Sequence, residues 1–243
     1  MRKPEMIFFD YGHTLLYEPG WNSERGDLAL LSHAARNPKN AGIPEIRREI
    51  AAVFGEIDRV RETEGIDISC RAGNRLAYGR LGIVFDLTPL EVENVFWTAA
   101  APGAVMPGAA RMLEEVRKMG IRTAVISNNG WSGEALEARF ARLLPDFHPE
   151  FILSSADYMI RKPDRRLFET ALALADLPPE AVWHCGDSFA ADVRGAAGAG
   201  IFPVYYTEPE LGKECPGEDP PAPFPYLRVR RWEELTAVLA EAE

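Results

Sequence analysis

A short continuous apolar run at residues 6–9, and similar largely apolar runs at 121–126, 151–153, 181–185 and 201–205, constrain the fold of this chain more than any other feature. Each is too short for a helix and shows no polar alternation, which is the pattern of a strand buried on both faces of a parallel sheet. Between them lie segments with helical spacing and clear stops. Residues 108–119 end at Gly120, 132–144 at Pro145, and 164–175 ahead of Pro178-Pro179. Alternating strand and helix imply an α/β fold, a doubly wound parallel sheet covered by helices on both sides. Residues 226–230 add an edge strand, and 232–242 a final helix.

Residues 17–103 interrupt this alternation. Ile46, Ile50, Val53, Ile57 and Val60 recur at spacings of four and three, one apolar stripe on a helix that begins near Pro44. Further helices are expected over 23–36, 69–81 and 88–100, the last opened by Thr88-Pro89-Leu90-Glu91, an N-cap, a first-turn Pro and a capping-box Glu. No strand is expected here. The chain therefore divides into an α/β core, residues 1–16 and 104–243, and an all-helical cap, residues 17–103. The Pro-rich stretch 208–225 reads as an exposed loop.

Composition narrows the partners. Lys+Arg 27 against Asp+Glu 37 gives a net charge of -10, which repels nucleic acid and anionic membranes. The basic cluster Arg228, Arg230 and Arg231 reads as a strand end. Cys70, Cys185 and Cys215 are odd in number and widely spaced, which suits neither a disulfide framework nor a zinc site. With no signal-peptide pattern and no apolar span of roughly 20 residues, a cytoplasmic location is expected. Nothing in the pattern addresses the oligomeric state.

Three apolar runs end on polar residues: Asp10, Ser127, and Gly186-Asp187. Carboxyl ends of parallel strands converge on one crevice where ligands bind, so these side chains should face one another. Asp192 lies five residues beyond Asp187. Carboxylates meeting in one crevice repel unless a cation lies among them, and hard oxygen donors without clustered Cys or His select Mg2+. Lys162, fixed by Pro163, would add a positive charge. Carboxylate nucleophile, hydroxyl, lysine and metal-binding carboxylates are the parts that phosphoryl transfer through a covalent carboxyl phosphate requires.

These residues resemble the four motifs of the haloacid dehalogenase superfamily, in order along the chain. They are Phe8-Phe9-Asp10-Tyr11-Gly12-His13-Thr14-Leu15, Ile126-Ser127-Asn128, Lys162-Pro163, and Gly186-Asp187-Ser188 through Asp192. The resemblance implies Asp10, Ser127 and Lys162 as catalytic residues and Ser127, Asn128 and Lys162 as substrate contacts. It places Mg2+ on Asp10, the Gly12 carbonyl and Asp187, with Asp192 orienting metal or lysine. The implied activity is hydrolysis of phosphate monoesters of small phosphorylated metabolites.

One position departs from the pattern. Phosphatases of the family carry a second Asp two residues after the nucleophile as general acid and base, and here that residue is Gly12. Such a group is worth about 10²- to 10⁴-fold in rate. His13 is the nearest substitute, although extended geometry would point it away. Two rival readings follow: a slow or non-catalytic phosphoryl and Mg2+ binding protein, and metal-free carbon–halogen hydrolysis, against which the Asp187/Asp192 pair argues. His184 and Cys185 read as core residues, Phe96 and Trp97 as cap packing, and Arg61, Arg71 and Arg75 as a solvated helix face.

Overall fold

The computed structural model describes residues 1–208 and 221–242. Most of the Pro-rich stretch, with Cys215, lies outside the described residues, and residues 221–226 form neither helix nor strand.

The framework is a six-stranded sheet in the order β10-β9-β8-β1-β6-β7, with every neighbouring pair parallel. Its strands are β1 (Met6–Phe9), β6 (Arg122–Ser127), β7 (Ile152–Ser154), β8 (Val182–Gly186), β9 (Phe202–Tyr206) and β10 (Leu227–Val229). β1 lies at the centre, pairing Met6 with Arg122 on one side and with Val182 on the other. Its alternate residues feed two cores. Ile7 and Phe9 join Val125, Cys185 and Val204 on one face; Met6 and Phe8 join Ala124, Ile126 and Val182 on the other.

Helices α5 (Ala109–Lys118), α6 (Gly133–Leu143) and α10 (Trp232–Glu241) cover the first face through Met112, Phe140 and Leu235. Helices α8 (Arg165–Ala175) and α9 (Arg194–Gly198) cover the second through Phe168 and Ala196. The doubly wound α/β arrangement expected from the apolar runs is thus present, with strand ends within a residue or two of the runs.

Between β1 and α5 lie β2 (Leu16–Tyr17), α1 (Ser23–Leu31), β3 (Ala34–Arg36), α2 (Ile43–Glu64), α3 (Cys70–Leu81), β4 (Val84–Phe85), α4 (Pro89–Ala100) and β5 (Ala104–Val105). Thr88 and Glu91 form the expected capping box on α4, and the Ser69 side chain caps α3. Two features correct the all-helical reading. The helix expected over 23–36 ends at Leu31, and Ala34–Arg36 pairs antiparallel with Val84–Phe85. Asn37-Pro38 disfavours helix in the residues before it, and a ladder this short carries too little alternation to be read. Likewise β2 pairs antiparallel with β5, which brings the two ends of the segment side by side. One short helix, α7 (Ser155–Tyr158), follows β7.

Among the described residues no helix is long and apolar enough to cross a membrane.

Candidate active site

Asp10, Ser127, Asp187 and Lys162 line one cavity of about 490 Å³ at the carboxyl ends of β1, β6 and β8. The chain leaves β1 at Asp10, whose N–H donates to the Cys185 carbonyl at 2.9 Å, so the nucleophile candidate is anchored by the neighbouring strand. Ser127 is the last residue of β6 and is buried at the cavity wall.

Lys162 forms the floor. Its Nζ donates to Asp10 Oδ1 at 2.8 Å, to Asp192 Oδ1 at 2.6 Å and to the Ile126 carbonyl at 2.7 Å, which commits all three ammonium hydrogens. Its main chain is clamped by Asn128, whose amide donates to the Lys162 carbonyl at 2.8 Å and accepts from the Lys162 N–H at 2.7 Å. The Asn128 side chain, expected to contact substrate, is therefore occupied in holding Lys162.

Asp192 is buried by an irregular helix start. Residues Phe189–Val193 form a π-turn ahead of α9, with Val193 N–H donating to the Ser188 carbonyl at 3.3 Å. The turn tucks Asp192 beneath Gly186, where a Cβ would stand only 2.2 Å from Asp192 Cγ, so no other residue fits at 186. Asp192 Oδ2 accepts from Ser188 N–H at 2.9 Å, and Oδ1 is shared between Lys162 and His184 Nε2, the latter at 3.0 Å.

His184 therefore does more than fill the core. Burial lowers its basicity and keeps it neutral. A proton on Nε2 directed at Asp192 is the tautomer this contact requires, and it leaves Nδ1 without a hydrogen-bond partner, as observed. Strand alternation gave no sign of this contact, because the partner comes from the helix after the strand.

The electrostatics follow from burial and pairing. Burial pushes the Asp10 carboxyl up, against the pull of Lys162, and Asp192 pushes it further. Burial also works to raise Asp192, but Lys162 and His184 outweigh it and hold Asp192 well below the usual carboxylate range. For Lys162, burial is outweighed by the two carboxylates, which keep it charged. Carboxylate oxygens of Asp10, Asp187 and Asp192 all lie within 4.8 Å of one another. An all-oxygen donor set of that spacing fits a hard divalent cation such as Mg2+.

The residues around Gly12 differ from the expected geometry. His13 takes a left-handed turn, φ 53°, rather than extended backbone, and lines the cavity as an exposed residue. A Cβ built on Gly12 meets nothing within 4 Å. The departure at this position is open space.

The opposite wall comes from residues the motifs did not mark. Tyr11 Oη donates to Glu18 at 2.6 Å, and Arg139 pairs with the same carboxylate. Trp97 stacks on Trp131, centroids 5.2 Å apart and planes at 19°, with the Arg139 guanidinium 4.2 Å from the Trp97 ring centre. Trp97, Trp131, Trp21 and Glu18 all line the cavity, so Trp97 is more than packing. Glu18 and Arg139 are distant in sequence, and no local pattern joins them.

Two of the arginines read as a solvated face pair with carboxylates instead. Arg61 bonds Asp67 at 2.7 Å and Asp58 at 2.9 Å, while Arg71 pairs with Glu93 and Glu134. Arg75 is exposed as expected.

Comparison with known proteins places this arrangement. The chain is 34% identical over 128 residues to haloacid dehalogenase-like hydrolase domain-containing protein 3 of Bos taurus, covering 49% of this chain and 47% of that one, so the match spans about half the length of either. It is 27% identical over 219 residues to glyceraldehyde 3-phosphate phosphatase of Pyrococcus furiosus, covering 85% of this chain and 82% of that one. In fold it resembles a 2-haloacid dehalogenase from Pseudomonas syringae pv. Tomato DC3000, with a TM-score of 0.64 at 21% identity, over 99% of each chain. The family model for haloacid dehalogenase-like hydrolases matches residues 6–200, a span that holds all four motifs, and the chain belongs to that family.

Proposed function

We propose that this hydrolase is a phosphatase that cleaves phosphate monoesters of small molecules through an aspartyl-phosphate at Asp10, with Mg2+ as cofactor and residues 17–103 as a cap over the site. The observation that carries this reading is the position of Lys162, bonded to both Asp10 and Asp192 within one cluster of three carboxylates. A site built for an anionic nucleophile and an anionic substrate needs such fixed positive charge. The name of the Pyrococcus furiosus relative, a phosphatase, points the same way.

In the first step a carboxylate oxygen of Asp10 attacks phosphorus, the bond from phosphorus to the ester oxygen breaks, and the alcohol departs, its oxygen protonated from solvent because no acid stands at Gly12. Lys162 fixes the orientation of Asp10, and the Ser127 hydroxyl donates to a phosphoryl oxygen. In the second step water attacks phosphorus and loses a proton to solvent, the bond from phosphorus to the Asp10 oxygen breaks, phosphate leaves, and the Asp10 carboxylate is regenerated. The carboxylates of Asp10 and Asp187 and the Gly12 carbonyl would hold Mg2+, which when bound would supply positive charge to offset that of the phosphoryl group. Asp192, with both oxygens already bonded, orients Lys162 rather than ligating.

The open space at Gly12 favours a second reading, in which the acyl phosphate forms and then persists because no positioned base activates water. One experiment separates the two: p-nitrophenol and phosphate are followed from millisecond times, with and without Mg2+, on the wild type and Asp10→Asn. Release of p-nitrophenol and phosphate in parallel over many turnovers, dependent on both Mg2+ and Asp10, is the outcome of the first reading, and a burst of p-nitrophenol followed by slow phosphate release is the outcome of the second. Turnover no greater than that of Asp10→Asn with every ester tried would overturn it. Activity surviving complete chelation would return the site to carbon–halogen chemistry.

A further inference from the structure

We infer that Arg161 binds a second anionic group of the substrate, so that the cavity selects phosphate monoesters whose alcohol also carries a carboxylate or another phosphate. This rests on the reading of the cavity as a phosphohydrolase site.

Arg161 and Lys162 are the Lys and Arg residues that line the cavity. Lys162 is fully committed to Asp10, Asp192 and the Ile126 carbonyl. Arg161 is half-buried, and its guanidinium makes no hydrogen bond or ion pair with any described residue. Exposed arginines such as Arg75 and Arg111 also stand alone, but the half-buried Arg61, Arg71 and Arg122 and the buried Arg139 each pair with a carboxylate.

Acidic residues outnumber basic ones 37 to 27, so partners are plentiful. Inside the cavity the carboxylates have other duties: Asp10 and Asp192 hold Lys162, Glu18 is taken by Tyr11 and Arg139, and Asp187 is a Mg2+ ligand in the phosphohydrolase reading. A half-buried guanidinium presents a planar fork of donors that matches a carboxylate or phosphate. With the protein's own anions engaged, the anion it can accept is brought by the ligand. The cavity, about 490 Å³, has room for more than a phosphoryl group, and Trp21, Trp97 and Trp131 give a carbon chain an apolar wall to lie on.

The test compares two ligands of nearly equal size, 3-phosphoglycerate and glycerol 3-phosphate, which differ in carrying a carboxylate or a hydroxymethyl group. Each is titrated into Mg2+-loaded protein bearing Asp10→Asn, and binding is read from the fluorescence of the cavity tryptophans. We expect the carboxylate ligand to bind about ten- to a hundredfold tighter, the range of one charged hydrogen-bonding contact. Adding Arg161→Gln should bring that ratio close to one, and Arg161→Lys should restore part of it. Equal binding of the two ligands, no binding of either, or equal weakening of both by Arg161→Gln would overturn the inference. Equal weakening would place Arg161 on the reacting phosphoryl group. Because binding requires no turnover, this outcome is independent of the p-nitrophenyl phosphate experiment, which tests the hydrolase reading with an ester that has no second anionic group.

Discussion

Lys162 Nζ lies 2.8 Å from Asp10 Oδ1 in the interior of the protein, with side-chain exposures of 1% and 10%. The same ammonium lies 2.6 Å from Asp192 Oδ1, so one cation holds two carboxylates that would otherwise repel. Its burial is tolerable because every hydrogen has an acceptor.

Lys162→Met tests this arrangement. It removes the cation and leaves two buried carboxylates facing each other, a loss of about 3–5 kcal/mol for a broken buried pair. Turnover of p-nitrophenyl phosphate should fall at least about a hundredfold, and thermal unfolding should move to lower temperature. Mg2+ should raise the Tm of the variant more than that of the wild type, since it replaces part of the missing charge. A variant with unchanged Tm and turnover within twofold would remove Lys162 from the site's electrostatics.

Gly12→Asp tests the open space. Its Cβ would meet nothing within 4 Å, and position 12 lines the cavity, so the substitution starts from open space. Stability should change by no more than about 1 kcal/mol. If acid-base assistance is the missing function, steady-state turnover of alkyl phosphates, whose leaving groups need protonation, should rise by about 10²-fold or more. The p-nitrophenol burst should change little, because that leaving group needs little acid. An equal change in both would mean that the new carboxylate acts on binding instead.

The sheet was legible because a parallel strand buried on both faces writes a largely apolar run, as residues 6–9 and, but for His184, 181–185 do in the two paired central strands. Helix ends were legible where a side chain closes them, as Ser69, Thr88, Ser132 and Asp164 do. The meeting of Asp10, Ser127 and Asp187 in one cavity followed from the convergence of strand ends, and Lys162 and Asp192 line the same cavity from a loop and a helix start. What stayed hidden depends on contacts between distant segments. The β3/β4 ladder joins Ala34 to Phe85, and the Glu18–Arg139 pair joins residues 121 apart. Likewise His184 meets Asp192 only because the π-turn after β8 folds back onto it. None of these leaves a periodic trace in sequence.

The helical segment is fastened to the core by Glu93 on α4. This buried carboxylate accepts from Ser132 N–H at 3.0 Å, from Ser132 Oγ at 2.7 Å and from Arg71 Nε at 3.0 Å. Ser132 in turn caps α6 through Ala135 N–H. Glu93→Ala would leave the Arg71 charge and the Ser132 N–H without this partner, a loss of about 3–5 kcal/mol measured by urea unfolding. Glu93→Gln, which keeps an acceptor, should lose less than half as much. A cycle with Arg71→Met should show a coupling of about 0.5–3 kcal/mol. Additive single effects would mean that Arg71 and Glu93 act separately.

Asp27 provides a pH test away from the catalytic cavity. It is 1% exposed in α1, accepts from Tyr78 Oη at 2.9 Å, and has Arg47 only at 3.9 Å. Burial raises its carboxyl above the ordinary carboxylate range, with Tyr78 and Arg47 offsetting only part. A carboxyl raised on folding binds its proton more tightly in the native state. Its contribution to stability is therefore most favourable at acid pH, and it diminishes as pH rises from the unfolded value through the folded one. Asp27→Asn keeps the acceptor for Tyr78 and removes the titration. The stability gap between Asp27→Asn and wild type should accordingly shift in favour of the variant as pH rises across that window, and level off above it. Urea unfolding at a series of pH values measures the gap directly. A gap independent of pH would mean that Asp27 titrates alike in the folded and unfolded chain, and a gap shifting the other way would mean that Arg47 holds the folded carboxyl down.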